Sequence, residues 1–306
     1  MTPGADPKQP LKEAGAKPAG PVLRFAPSPN GPLHLGHAFS AITGYEMAQR
    51  LGGMFLVRIE DIDMVRARPE LIAAIFDDLT WLGLRWELPV LHQSRHLADY
   101  RAAADRLQAL GLLYPCFATR KDIVAAASHT LLDPEGALVY PGIWRARDGH
   151  AVVERMGLGE PFALRLDMGR AIGMAKQKLQ GRPLAFTEMD NGGRMRTVVC
   201  APERWGDVII LRKETPSSYL IAVVVDDARQ GVTHVTRGMD LYPATDAQRL
   251  LQVLLDLPEP IYHHHRLIAD AGGLKLSKSK GAQSLAEMRA AGATPGDIRR
   301  MAGLSA

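Results

Sequence analysis

Between Val22 and Ser28 apolar and polar residues alternate as VLRFAPS, the period-two pattern of a half-buried strand. Pro29, Asn30, Gly31 and Pro32 follow as a turn cluster. From Leu33 the apolar positions recur at helical spacing to Arg50, and Gly52-Gly53 closes the helix. Met54–Asp61 (MFLVRIED) reads as a second strand, apolar at its start and acidic at its end. Leu71, Ile72, Ile75, Phe76 and Leu79 mark a further helix, and Asp99–Leu110 another, with Leu107 and Leu110 on one face. Strand, helix, strand, helix at these lengths predicts a parallel α/β sheet.

The middle of the chain breaks this rhythm. From Cys116 to about Trp205 Gly and Pro are scattered and periodicity weakens, as expected of an inserted smaller subdomain. The α/β character then returns. VIILRK (Val208–Lys213) and YLIAVVVDDA (Tyr219–Ala228) are rich in β-branched residues and read as strands. Thr233–Gly238 gives one more strand, Thr245–Leu257 a helix with Thr245 as N-cap, and IYHHHRLI a last strand. The expected division is a disordered tail over 1–20, the two halves of the α/β domain over 21–115 and 207–257, the insertion over 116–206, and a short closing segment over 258–306.

Composition narrows the function classes. Of 306 residues 46% are hydrophobic and 23% charged, the balance of a globular protein with a real core. No apolar run reaches the roughly 18 residues of a membrane helix. The first twenty residues hold no apolar stretch, which argues against a secretory signal. Two cysteines, Cys116 and Cys200, do not make a disulfide framework, so a cytoplasmic setting is expected. A net charge of +4 is compatible with a polyanionic partner without requiring one.

Two short motifs carry the candidate chemistry. In NGPLHLGHAFSA, His34 and His37 stand at i and i+3 where a strand–turn–helix unit starts its helix. Such a helix start presents free N–H groups and partial positive charge to a phosphate. Gly36 lies between the histidines, where a side chain would block a flat ring. Three readings are open: histidines with no special role, a phosphate site, or a metal site. Zinc would want further ligands at recognisable spacing. The helical zinc-protease motif wants i, i+4 with Glu beside the first His, where this chain has Leu35. The second motif, LKLSKSKG, interleaves Lys275, Lys278 and Lys280 with Ser277 and Ser279 between glycines. It is either a solvated basic loop or one that closes over a polyphosphate, with Lys as a mobile point charge.

Together HLGH and KLSKS resemble the paired signatures, written HIGH and KMSKS, of class I aminoacyl-tRNA synthetases. The stretches RFAPSPNGPLHLGH, LVRIEDID (Leu56–Asp63) and SYLIAVVVDDARQGVTHVTRGMDL (Ser218–Leu241) resemble the glutamate and glutamine branch. The likeness runs from about Leu23 to Leu285. It implies a Rossmann-type parallel sheet with an inserted subdomain and a short C-terminal lysine-loop segment. By the same resemblance His34, Gly36, His37 and Lys278 bind ATP, with His34, His37, Lys275 and Lys278 catalytic. Arg24 and Arg237 meet the side-chain carboxylate of glutamate, Ser28 lies in the same binding segment, Glu60 accepts the α-ammonium, and Tyr219 belongs to the amino-acid pocket. Two guanidinium groups suit a carboxylate better than a neutral amide. ATP brings Mg²⁺, with no dedicated protein cage visible.

A full glutamyl-tRNA synthetase continues well past its lysine loop into helical domains that read the anticodon, whereas this sequence stops at Ala306. That pattern is similar to the glutamyl-Q tRNA(Asp) synthetase family, whose members activate L-glutamate with ATP without tRNA and transfer it to queuosine at the wobble position of tRNA(Asp). The resemblance implies a cytoplasmic ligase, here expected to act as a monomer with no membrane partner. A minimal glutamyl-tRNA synthetase and an inactive tRNA-binding module are the competing readings. Many family members hold a structural zinc with Cys-x-Cys and a Tyr and a Cys four residues apart. This chain keeps Cys116 and Tyr140 but has Ala118 and Trp144, so no structural zinc is expected and Trp144 is expected to pack in the space. His129 and His150 are nearby in sequence, at spacings that give no reason to expect ligation. The run His263–His265 is expected to be structural or near the ATP site.

Overall fold

The computed structural model describes residues 20–127, 131–145, 149–268 and 283–305. The tail over 1–19 and Lys275 and Lys278 of the second motif lie outside these residues, as does His129. Strand β1 (Val22–Phe25) is buried throughout and leads through the Pro/Gly turn into helix α1 (Leu35–Arg50). Strand β2 (Met54–Ile59), helix α2 (Pro69–Trp81), strand β3 (Glu87–His92) and helix α3 (Leu97–Ala109) continue the pattern. Each element that periodicity predicts in this half is present within a few residues.

The next stretch is mixed. It holds β4 (Leu113–Cys116), α4 (Arg120–Ala126), α5 (Gly149–Gly157), β5 (Ala163–Leu166), α6 (Met168–Lys178), the hairpin of β6 (Ala185–Met189) and β7 (Met195–Val199), and β8 (Ile209–Leu211). Then come α7 (Tyr219–Arg229), β9 (His234–Gly238), α8 (Ala244–Leu255), β10 (Ile261–His265), α9 (Leu285–Ala290) and α10 (Pro295–Met301). Among the described residues no helix is long and apolar enough to cross a membrane.

One seven-stranded sheet runs β3-β2-β1-β9-β10-β6-β7. Its first six strands are parallel and β7 is antiparallel. Strand order moves outward from β1 to β2 and β3 on one side, and from β9 to β10 on the other. The switch point therefore lies between β1 and β9, where ligands of doubly wound sheets bind beyond the carboxyl ends of the strands. A small antiparallel sheet, β4-β5-β8, stands apart. One apolar cluster packs α3, α6, α7 and α8 together, and another packs α1, α2, α9 and α10 onto the main sheet. At Gly44 a Cβ would meet Thr236 Oγ1 at 2.8 Å, so only glycine lets α1 approach the sheet this closely beside the switch point.

Three expectations need correction. Tyr219–Ala228 is not a strand but most of helix α7. Its residues from Ile221 to Asp227 are all buried, so the apolar run shows no exposed face from which a period could be read. Second, the boundaries 116 and 206 do not follow the sheets. The β6–β7 hairpin extends the main sheet, whereas β8, expected in the α/β domain, pairs with β5. Third, Thr245 does not cap α8. It lies inside the helix, and Pro243 takes the N-cap position without a side-chain bond.

Asp78 of α2 faces Arg289 of α9 at 3.8 Å, and its buried Oδ1 has no hydrogen-bond partner. Burial pushes its carboxyl up to about 6, with Arg289 pulling the other way. Between the unfolded value near 3.8 and about 6, the folded state holds more protons than the unfolded one. Stability contributed by this group therefore falls as pH rises through that window. Asp78→Asn is expected to be more stable than the parent at pH 8 by about 1–2 kcal/mol, with the gap narrowing by pH 4.5 and closing below the unfolded value. Urea midpoints at the two pH values check this, and an equal gap at both would refute it.

Candidate active site at the sheet switch point

The histidine motif caps its own helix. His34 is the N-cap of α1, and its Nδ1 accepts the Gly36 N–H at 3.1 Å. The Nδ1 of His37 in turn accepts the backbone N–H of His34 at 3.1 Å. This is a capping box built from two imidazoles, with ring centroids 3.9 Å apart. An Nδ1 that accepts from a backbone amide must carry a lone pair, so the proton of each neutral ring sits on Nε2. The pair thus offers Nε2–H donors, suited to phosphate oxygens, and lacks the free Nε2 lone pairs that a metal needs. That arrangement suits phosphate oxygens better than a metal ion. A Cβ on residue 36 would meet the His34 ring at 3.0 Å. Glycine is therefore needed there for the imidazole itself as well as for a ligand.

A cavity of about 650 Å³ opens beside this helix start. His34, Gly36 and His37 line it from α1, and Arg24 and Ser28 from β1 and its following turn. Glu60 enters from the end of β2, Tyr219 from the start of α7, and Arg237 from β9. The described residues that the resemblance assigns to glutamate or ATP thus face one space at the carboxyl ends of the central strands. Lys275 and Lys278 lie outside the described residues, but the chain flanking them is placed. Ile268 lines the cavity, and Ser284 forms a β-bridge with His34 while the Leu285 N–H donates to Leu33 O at 2.9 Å.

Beneath the cavity lies a buried charge cluster. Asp227, at the end of α7, accepts Arg24 Nε at 3.0 Å and Nη2 at 3.3 Å, and Arg58 Nη1 at 2.6 Å. Arg58 is fully buried and donates through Nη2 to Glu60 at 3.2 Å. Burial alone would raise the Asp227 carboxyl, but Arg24 and Arg58 outweigh it and hold the group below the usual carboxylate range. Glu60 shifts the other way: burial raises it, against the pull of Arg58 and Arg24. Neighbouring Asp226 is also raised by burial and accepts from Tyr100 and Gln93, each at 2.8 Å. The sequence flagged Arg24 and Glu60 but missed Arg58 and Asp227, the groups that hold them in place. An acidic pair closing an apolar run was their visible signal, and it acquires meaning only once α7 is seen to lie under β1 and β2.

Arg237 is held differently. Its Nε donates to His264 Nε2 at 3.2 Å, Nη1 to Gln248 Oε1 at 2.7 Å, and Nη2 to Thr245 Oγ1 at 2.6 Å. All three acceptors are neutral, and among the described residues no carboxylate reaches Arg237 at ion-pair distance. Its charge is therefore available to an anion in the cavity. His265, the last residue of β10, also lines the cavity and meets Ser40 Oγ at 3.1 Å. The histidine run is thus structural at His263, where Nδ1 meets Met189 O at 2.9 Å, and cavity-facing at His265.

A family model described as tRNA synthetases class I (E and Q), catalytic domain, matches residues 22–303. The glutamyl-Q tRNA(Asp) synthetase of Rhodobacter capsulatus is 47% identical over 291 residues, covering 92% of this chain and 100% of that protein. The chain belongs to the glutamyl-Q tRNA(Asp) synthetase branch of this class I family. The protein of the same name from Symbiobacterium thermophilum is 40% identical, over 89% of this chain and 82% of the relative. Among solved structures, the glutamate-tRNA synthetase of Elizabethkingia anophelis matches with a TM-score of 0.67 at 24% identity, over 85% of this chain and 53% of that one. That likeness concerns the fold, and the chain spans about half the length of that structure. As a class I synthetase the protein is a ligase.

In the zinc region the residues present do not fit the ion that many synthetases of this branch carry. Tyr140 Oη accepts from the Cys116 thiol at 3.4 Å and from the Trp144 N–H at 2.8 Å. Burial pushes the Tyr140 phenol up, which keeps it neutral. The Arg165 guanidinium stacks 4.0 Å above its ring, so a cation already occupies that face. The Trp144 ring packs on Phe117 at 5.0 Å between centroids. His150 stands at the start of α5. Among the described residues no group of three or more His, Cys, Asp or Glu is arranged to hold a metal.

Proposed function

We propose that this synthetase activates L-glutamate with ATP in the absence of tRNA and then transfers it to queuosine at the wobble position of tRNA(Asp). The observation that carries the glutamate reading is Arg237, a buried guanidinium held by three neutral acceptors on the wall of the cavity. A carboxylate ligand compensates that charge, whereas a glutamine amide does not. Arg24 lies on the same wall, and Glu60 supplies an acceptor for the α-ammonium. Ser28 and Tyr219 complete the amino-acid pocket. In the first step a glutamate α-carboxylate oxygen attacks the α-phosphorus of ATP and pyrophosphate leaves. The Nε2–H groups of His34 and His37 donate to the α-phosphate oxygens as charge builds there, stabilisation commonly worth a few kcal/mol per donor. Lys275 and Lys278 are assigned to the leaving pyrophosphate, a role supported by the docking of Ser284 against His34. Mg²⁺ accompanies ATP as its counter-ion.

In the second step a hydroxyl of the queuosine cyclopentenediol attacks the acyl carbon, the ester forms, and AMP leaves with the phosphate oxygen of the mixed anhydride. The glutamyl-Q tRNA(Asp) synthetase names of the relatives support this acceptor. The test is glutamate-dependent pyrophosphate exchange without tRNA, followed by transfer of labelled glutamate to tRNA(Asp) with and without queuosine. Label is expected only on the queuosine-containing tRNA. Label at the 3′ end of tRNA(Glu) instead would establish a minimal charging enzyme and overturn the proposal.

A further inference from the structure

Four adjacent strands, β9, β10, β6 and β7, carry a row of polar side chains across the sheet. Register sets Arg237 opposite His264, and Glu188 opposite Arg196. β6 is the neighbour of β10 in between, with Glu188 opposite Tyr262. Arg237 Nε donates to His264 Nε2 at 3.2 Å, His264 Nδ1 lies 2.9 Å from Glu188 Oε1, and Glu188 Oε2 takes Arg196. The His264 side chain is fully buried. It stands against Tyr242, Tyr262 and Phe186.

The proton inventory of this row has one solution. A guanidinium only donates, so His264 Nε2 must be a lone pair. The imidazole is then neutral, its proton is on Nδ1, and the Glu188 carboxylate accepts it. Thr245 Oγ1, which accepts Arg237 Nη2, lies 3.2 Å from the same Nε2 and can direct its own hydroxyl proton there. Burial, followed by the charge of Arg237, lowers the His264 pKa to about 4. The ring therefore stays neutral in the ordinary range.

We propose that Glu188 and His264 are positioning residues for substrate recognition, with Glu188 fixing the Nδ1–H tautomer of His264 so that its Nε2 orients Arg237 toward the carboxylate of the amino-acid substrate. The proposal rests on the glutamate reading above. The arrangement contrasts with Arg24, which touches a carboxylate directly and shares its charge with Asp227. At Arg237 the carboxylate stands one imidazole away. The guanidinium is oriented without being neutralised, which leaves its charge for a ligand. The β6–β7 hairpin thereby becomes part of the substrate site, although none of its residues lines the cavity.

The decisive variant is Glu188→Gln. A glutamine amide can donate to Nδ1 as well as accept from it, so the alternative tautomer becomes available, with an Nε2–H aimed at Arg237. The effect resembles the loss of a carboxylate that fixes a catalytic histidine tautomer. Two measurements on the full chain test the relay. In ¹⁵N spectra of histidine-labelled protein, the His264 signal, identified by its loss in His264→Phe, is expected to show protonated Nδ1 and unprotonated Nε2. In Glu188→Gln it is expected to become mixed or inverted. In pyrophosphate exchange, Glu188→Gln and His264→Phe are each expected to raise the KM for glutamate by about tenfold or more, with the KM for ATP changing less than about twofold. His264→Gln, whose amide oxygen can accept from Arg237, is expected to recover part of the loss. Parent exchange with glutamate, combined with an unchanged glutamate KM in Glu188→Gln, overturns the relay alone. So does an equal rise in both KM values with a lowered Tm, the signature of a merely structural role. A parent protein without glutamate-dependent exchange overturns the proposed substrate and the relay with it.

Discussion

Asp227→Asn is expected to lose about 3–5 kcal/mol of unfolding free energy and, where it still folds, to bind glutamate much more weakly than the parent. The carboxylate accepts from two buried guanidinium groups, with Arg58 Nη1 at 2.6 Å and Arg24 Nε at 3.0 Å. Removing its charge leaves Arg58, wholly cut off from water, with Glu60 at 3.2 Å and Asp226 at 4.0 Å as its remaining counter-charges. Burial favours the protonated form of both, so neither compensates readily. Arg24 would keep at most one of the two bonds that orient it toward the cavity, because asparagine replaces one acceptor oxygen with an amide donor. The same reasoning fixes a pH dependence. Because the folded-state pKa of Asp227 is held below its ordinary value, the stability it contributes is present above that ordinary value and is lost as pH falls through the depressed one. The variant's deficit in chemical denaturation is therefore expected to be largest near neutrality and to shrink in acid. Parent-like stability at pH 7 would show that Arg58 and Arg24 need no such anchor.

His34→Asn is expected to lower kcat for glutamate-dependent pyrophosphate exchange by about 10²–10³-fold, within the range for loss of one preorganised donor. The KM for glutamate and the stability are expected to change little. Asparagine is among the best N-cap residues, so its side-chain oxygen can replace His34 Nδ1 as acceptor for the Gly36 N–H, now at 3.1 Å. What it cannot supply is the Nε2–H donor. The substitution thus separates the capping role of the histidine from its proposed role toward the α-phosphate. His34→Ala removes both and is expected to add about 1 kcal/mol of destabilisation. A His34→Asn protein with parent kcat would reduce the motif to a helix cap and reopen the reading in which the histidines have no special role.

The two residues illustrate how differently parts of the site were legible. His34 belongs to a local unit, and its place at a helix start follows from the strand, turn and helix patterns on either side. Asp227 belongs to a segment whose pattern misleads. Tyr219–Ala228 is rich in β-branched residues and reads as a strand, yet it forms a helix packed against α3 and α8. When every side is buried, period carries no signal, and the surrounding elements decide the conformation.

Local pattern along the chain suffices for the parallel α/β plan of the first half, the strand–turn–helix unit that starts at His34, and the family resemblance that selected Arg24, Ser28, Glu60, Tyr219 and Arg237. These follow from local periodicity, turn chemistry and motif spacing, which act over a few residues at a time. Long-range packing sets the β6–β7 hairpin into the main sheet, Asp227 against Arg24 and Arg58, and Arg237 among neutral groups with Glu188 one imidazole removed. The reason is physical. A buried charge is tolerable only with its partners in contact, and those partners come from strands and helices far apart in the chain. Strand order and helix packing bring them together, and no local pattern records that order.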